Sequence, residues 1–257
     1  MTIPTLLTVL VLGGYAFAQG AVQEPIVSNP NRPTVADPAD ITQFGVAEIE
    51  YGFSTSRNIQ SFDGLLKFAF AKDLELRIGT NTFLRDASVP AHGAGDTTLG
   101  LQWRAVHQKK FVPTMSLSYL AKAPTAPDTL GSSEWDHEVK VLLSRDIRGS
   151  HFDANLGYIF VKRTGTPGYD HVFVPTLAWS HKLKGKWGTT AEVWGTSRQS
   201  AQIEGTTSIL GAVTYQMRPR LVFDTGANFG LRGDEPKATF FVGMTYSIFD
   251  LYRPSRR

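Results

Sequence analysis

Asp136-His137-Glu138 is the stretch whose residue types come nearest to a catalytic arrangement, because an imidazole between two carboxylates is raw material for general acid–base chemistry. In an extended chain side chains alternate faces, so His137 points away from both acids. The histidines at 92, 107, 151, 171 and 181 show no His-Glu-x-x-His or paired-ligand spacing, and neither Gly-x-Ser-x-Gly nor a phosphate-binding loop occurs. The chain has no cysteine, which removes thiol nucleophiles and a disulfide scaffold. No covalent chemistry, metal or cofactor is implied. What remains is a set of charges recurring on one side of alternating segments: Glu48, Glu50, Glu75, Asp96, Asp136, Glu138, Asp153, Glu192 and Asp224, with Lys67, Arg77, Arg104, Lys122 and Lys140. Nine acids facing five bases suit a water path with a mild preference for cations or neutral solutes. The alternative is that the charges pair across the interior and close it.

The elements that must position these charges are extended. Ser150 to Val161 sets Phe152, Ala154, Leu156, Tyr158 and Phe160 on one side and Asp153, Asn155, Gly157, Ile159 and Val161 on the other. The apolar side carries rings at both ends and aliphatics between, the pattern of a strand crossing a bilayer in a closed barrel. Twelve such segments can be drawn, starting near Phe44, Phe62, Leu74, Asp96, Met115, Trp135, Ser150, Phe173, Trp187, Ile209, Leu221 and Ala238. Most are close to the ~9–11 residues that a tilted membrane strand needs. The expected fold is all-β, a transmembrane antiparallel up-and-down barrel of about twelve strands.

The connections alternate in length. Short turns are expected at 72–73, 107–110, 145–149, 182–186 and 218–219, and longer loops at 55–61, 86–95, 123–134, 162–170, 196–205 and 232–235. Short periplasmic turns and long external loops fit an outer-membrane barrel with both termini periplasmic. With that orientation Phe44, Trp103, Phe152, Trp179, Trp187, Tyr215 and Tyr246 fall at the turn end. Tyr51, Phe53, Tyr119, Trp135, Phe160, Phe173, Phe229 and Phe240 fall at the loop end. Two aromatic girdles thus follow from an orientation set by loop length alone.

Residues 1–18 read as a signal peptide, with an apolar run Leu6–Leu12 and Ala16-Phe17-Ala18 before Gln19, although the lead-in lacks Lys or Arg. The competing reading, a helical anchor, needs a run nearer to 20 residues. Residues 19–41 carry Pro25, Pro30, Pro33 and Pro38 with no period of two. They form either a periplasmic tail or a lumen plug, in which Arg32 would face acids such as Glu48 and Glu50. Residues 42–249 make the barrel and 250–257 a polar tail. The net charge of +3 does not indicate nucleic acid, because the basic residues lie mostly in short turns rather than on one element.

Asn31-Arg32-Pro33-Thr34-Val35-Ala36-Asp37-Pro38-Ala39-Asp40, followed by Phe44-Gly45-Val46-Ala47-Glu48-Ile49-Glu50-Tyr51-Gly52-Phe53, resembles the start of the outer-membrane family labelled "putative MetA-pathway of phenol degradation". Asp73 to Gly79, Gly95 to Gly100 and Ser150 to Tyr158 fit the same picture, and the likeness spans nearly the whole mature chain. The resemblance implies an outer-membrane, transporter-like barrel, and the family label implies uptake of aromatic compounds. The expected function is passive diffusion of small solutes, aromatic or other small organic compounds among them. The partners are membrane lipid and a small-molecule solute, and the oligomeric state is left open. Two rival classes are an outer-membrane hydrolase of phospholipase or protease type and a closed structural or surface-binding barrel.

Overall fold

The computed structural model describes residues 25–89 and 91–252, so the signal-peptide expectation lies outside the described residues. Alternation of apolar and polar residues produces strands β1 (Val46–Thr55), β2 (Ile59–Ala71), β3 (Leu74–Asp86), β4 (Ala91–Gly93), β5 (Thr97–Val106), β6 (Thr114–Ala123) and β7 (Asp136–Ile147). They continue with β8 (Ser150–Lys162), β9 (Tyr169–Lys182), β10 (Trp187–Gly195), β11 (Thr207–Arg218), β12 (Leu221–Arg232) and β13 (Thr239–Asp250). All pairings are antiparallel. Each barrel strand joins its neighbour in sequence, and β1 closes the ring on β13 from Val46 opposite Asp250 to Thr55 opposite Phe240. Twelve strands form the wall, and the three-residue β4 hangs on the end of β3. Closure leaves the twelve-stranded wall without a free edge, which a bilayer requires because lipid cannot bond to open backbone groups.

The register puts hydrocarbon outside. Leu99, Leu101, Trp103, Leu117, Val141, Leu156, Leu177 and Val193 are exposed, with Trp103 52% and Trp187 51% accessible. The opposite faces of the same strands bury Glu48, Glu50, Lys67, Glu75, Arg77, Gln102, Asp153, Glu192 and Asp224. This is a soluble protein turned inside out: its buried centre is charged, and its apolar side chains face outward. None of the fifteen girdle rings named above is buried.

Five connections differ most from the sequence-based expectation, two of them being the turn expected at 145–149, which narrows to 148–149, and the loop expected at 232–235, which occupies 233–238. The loop expected at 55–61 shrinks to residues 56–58, because Ile59–Ser61 continues β2 above the apolar band, with Ser56 N bonded to Ile59 O. The turn expected at 107–110 runs to Pro113, whose ring has no N–H to offer the ladder. The loop after β3 contains the extra strand β4. One of the two-residue turns, Arg148-Gly149 between the paired Ile147 and Ser150, has both φ values positive, at 51° and 82°. That is a two-residue type I′ hairpin, whose twist matches the flanking strands.

Candidate functional site

The N-terminal segment, residues 25–43, has few backbone partners of its own and satisfies its N–H groups on the inner wall. Glu48 accepts from Asn29 N at 3.0 Å, and Glu50 accepts from Asn31 N at 2.8 Å and Arg32 N at 2.9 Å. Glu192 accepts from Val35 N at 2.8 Å and Ala36 N at 2.6 Å. Asn155 takes Asp37 N, Ser144 takes Ala39 N, and Glu75 takes Thr42 N. The Gln102 amide donates to the Pro38 and Ala39 carbonyls. These partners come from β1, β3, β5, β7, β8 and β10, so the segment crosses the barrel interior rather than hanging below it. Ala36 and Ala39 are completely buried there.

Side-chain charges complete the packing. Lys67 Nζ lies 2.8 Å from Glu48 and 2.6 Å from Glu50, and it also donates to the Asn29 carbonyl and the Asn31 side chain. Asp37, brought inward by the segment, meets Arg77 at 3.3 Å and Lys140 at 2.8 Å. Arg77 also pairs with Glu75, and Lys140 with Glu138. Arg104 bridges Asp40 and Asp73, and nearer the loop end Lys122 bridges Asp96 and Asp136. Asp153 takes Ser144 Oγ at 2.5 Å and His151 Nε2 at 3.0 Å. Each of the fourteen charged positions expected to face inward therefore meets either another charge or the segment.

Arg32 corrects the expectation about its partners. Its backbone N–H reaches Glu50, but the guanidinium turns away to Asp224 on β12, bonding both carboxylate oxygens at 3.1 and 3.2 Å. It lies in a notch over Gly52 of β1 and Gly243 of β13, which face each other across the closing seam. A Cβ at either glycine would collide with the guanidinium. A paired strand register cannot be read from one strand's alternation, so sequence reasoning missed both this notch and the role of Asp37 and Asp40.

On the side of β8 to β12 the segment leaves the wall free over part of its height. A cavity of about 520 Å3 lies there, lined by Arg32 and Thr34 of the segment and by His151, Ser180, Thr214 and Gln216 of the wall. Asp146, Asp153, Lys182 and Lys186 also border it, so a lining of hydroxyls, amides and charges of both signs suits water and small polar solutes.

Catalytic geometry is poor. His137 Nδ1 bonds the Tyr119 hydroxyl at 2.8 Å on the outer face, while Asp136 and Glu138 turn inward to lysines. Ser150 Oγ contacts His181 Nδ1 at 3.0 Å, but that histidine stacks on Trp179, and among the described residues no carboxylate bonds its other ring nitrogen. No cluster of three metal-ligating side chains occurs among the described residues.

Comparison with known proteins follows the same lines. The chain is similar to the COG4313 outer membrane channel from Pseudomonas putida F1, with a TM-score of 0.65 at 13% identity over 86% of this chain and 100% of that one. It is also similar to the NanC porin, with a TM-score of 0.58 at 10% identity over 79% of this chain and 100% of that one. For the KdgM porin the TM-score is 0.54 at 11% identity, over 79% and 99% of the two chains. At these identities the likeness is one of fold. No curated protein matches the sequence. The family model described as "Putative MetA-pathway of phenol degradation" matches residues 31–248, the first strand to the last together with most of the inserted segment, and the chain belongs to that family.

Proposed function

We propose that the protein is a passive diffusion channel for small solutes in the outer membrane of a Gram-negative-type envelope, with residues 25–43 acting as its plug. The observation that carries this reading is the inverted polarity: a closed wall with hydrocarbon outside and a charged interior that retains a polar-lined cavity beside the inserted segment. Porins and channels of the same fold support it, as does the family label, which favours small organic solutes, aromatic compounds among them. The interior acids outnumber the bases, since the segment adds Asp37 and Asp40 but only Arg32. The path therefore favours cations and neutral molecules over anions.

The plug is held by Arg32 on Asp224, by the Val35 and Ala36 N–H groups on Glu192, and by Asp37 on Asn155. These contacts separate the cavity from the loop end along β8 to β12. Planar-bilayer recording tests the reading. The intact protein should pass small, cation-selective currents, and deletion of residues 25–41 should enlarge them severalfold. A deletion variant that inserts yet carries no current, and whose vesicles admit no sugar or phenol, would refute the channel. Unchanged conductance on deletion would refute the plug alone.

A further inference from the structure

The two ends of the barrel differ sharply in charge. Turn regions 72–73, 107–113, 145–149, 182–186 and 218–220 hold ten Lys and Arg residues, namely Lys72, Lys109, Lys110, Arg145, Arg148, Lys182, Lys184, Lys186, Arg218 and Arg220, against Asp73 and Asp146. The loops at the other end, 56–58, 87–96, 124–135, 163–168, 196–206 and 233–238, hold four such cations against six carboxylates. Among the described residues none of the ten turn cations is in an ion pair. The two turn carboxylates are taken by Arg104 with His107 and by His151.

Two of these cations are fixed by bonds to a neighbouring turn. The Arg145 guanidinium donates to the Phe111 carbonyl at 2.6 Å and the Lys110 carbonyl at 3.1 Å, joining two neighbouring turns into one cluster. Lys186 Nζ donates to the Met217 carbonyl at 2.7 Å, and Gln216 N to the Lys186 carbonyl, which joins another two. Apolar side chains sit among the charges in the turns themselves: Phe111 is 76% exposed, and Ile147, Leu183 and Met217 are also exposed. Directly above them stand Trp103, Trp179 and Trp187 on the outer wall. A purely hydrated rim has no use for exposed rings and aliphatics, whereas a lipid headgroup layer accommodates both kinds of side chain.

We propose that the turn end is a docking surface for anionic phospholipid headgroups of the adjoining leaflet. Lys109, Lys110, Arg145 and Arg148 receive headgroup phosphates on one side, and Lys184, Arg218 and Arg220 on the other, while Lys182 and Lys186 border the interior cavity and add to the positive rim behind them. Phosphatidylglycerol-type lipids are then enriched around this end and not around the loop end. The inference rests on the membrane reading above but not on permeation.

Tryptophan quenching tests it, because the indoles mark the two ends. Trp103, Trp179 and Trp187 report the turn end, and Trp135 the loop end. In vesicles at low salt, brominated phosphatidylglycerol should quench a Trp135→Phe/Trp194→Phe protein with a relative binding constant about fivefold above that of brominated phosphatidylcholine. Raising the salt to a Debye length of a few ångströms should erase most of that excess. A protein carrying K109Q, K110Q, R148Q, K184Q and R220Q should lose the excess while brominated phosphatidylcholine still quenches it, which shows that it has inserted. Equal quenching by the two lipids at low salt overturns the proposal, as does an excess that survives salt or the five substitutions, or an equal excess in a W103F/W179F/W187F/W194F protein, whose one indole is Trp135 at the loop end. Should the five-fold variant not fold, the salt series on the otherwise unaltered protein decides. Failure of every brominated lipid to quench any tryptophan would instead sink the membrane reading itself.

Discussion

Replacing Lys67 with Met tests whether the inserted segment and the wall are one cooperative unit. The ammonium has no solvent contact; it donates to the Asn29 carbonyl and the Asn31 side chain and lies in ion-pair contact with Glu48 and Glu50. Both carboxylates are also buried, and each holds the segment through backbone N–H groups. Removing the cation therefore leaves two like charges without a counter-ion in a site that water does not reach. Breaking a buried pair in this way costs about 3–5 kcal/mol. The substitution E48Q/E50Q/K67M removes the uncompensated charge while its amide oxygens still accept the segment's N–H groups, so it should recover more than half of that loss. Guanidinium unfolding of the reconstituted protein, followed by tryptophan emission and by heat-dependent gel mobility, measures both. A K67M cost below about 1 kcal/mol, or a triple variant no more stable than K67M, would refute the claim that burial makes Lys67 indispensable.

Three further outcomes follow from individual contacts. Gly243→Ala puts a methyl group where the Arg32 guanidinium lies, so single-channel conductance should rise toward that of Arg32→Ala with little change in barrel stability, and an unaltered trace would count against the notch. Gly149→Ala forces an L side chain into a left-handed turn and should cost about 1 kcal/mol, whereas Arg148→Asn, which tolerates that region, should gain a few tenths; chemical unfolding reads both. The third concerns the loop end. Partial burial alone would raise the Asp96 carboxyl, but the Ala126 N–H and the neighbouring Lys122 more than reverse this and hold it below its ordinary value of 3.8. Its stabilising effect on loop 124–135 is thus fully present above that value and disappears as pH falls through the lower folded one. Pepsin should cut the loop of Asp96→Asn protein at acidities where the unaltered loop resists, and equal cutting would refute the link.

The wall was legible because lipid makes one demand on every strand. Leu99, Leu101 and Trp103 must alternate with Gly100, Gln102 and Arg104, and no other register keeps charge off the hydrocarbon. The fourteen charged positions were expected inward from the same alternation; each has a charged or polar partner, Asp96 from the loop before β5 rather than from a wall strand. The loop expected at 55–61 was misjudged because β1 and β2 continue beyond the bilayer, where Thr55, Gln60 and Ser61 no longer carry an apolar signal. Asp37, Asp40 and the seat of Arg32 were out of reach for a different reason. They depend on which strands the segment crosses, and that is fixed by barrel stagger rather than by any local period.

The seat of Arg32 has a consequence for assembly. Its floor is made of one residue from the first strand and one from the last, and its counter-ion comes from the strand beside the last. No part of the chain offers that floor while the cylinder is still a curled ribbon. The leading segment can become fully anchored only once the ring has zipped shut, so protection of residues 25–43 from proteinase K, a protease of broad specificity, would report completed closure. A precursor stalled with its outer strands apart would remain cleavable within that segment.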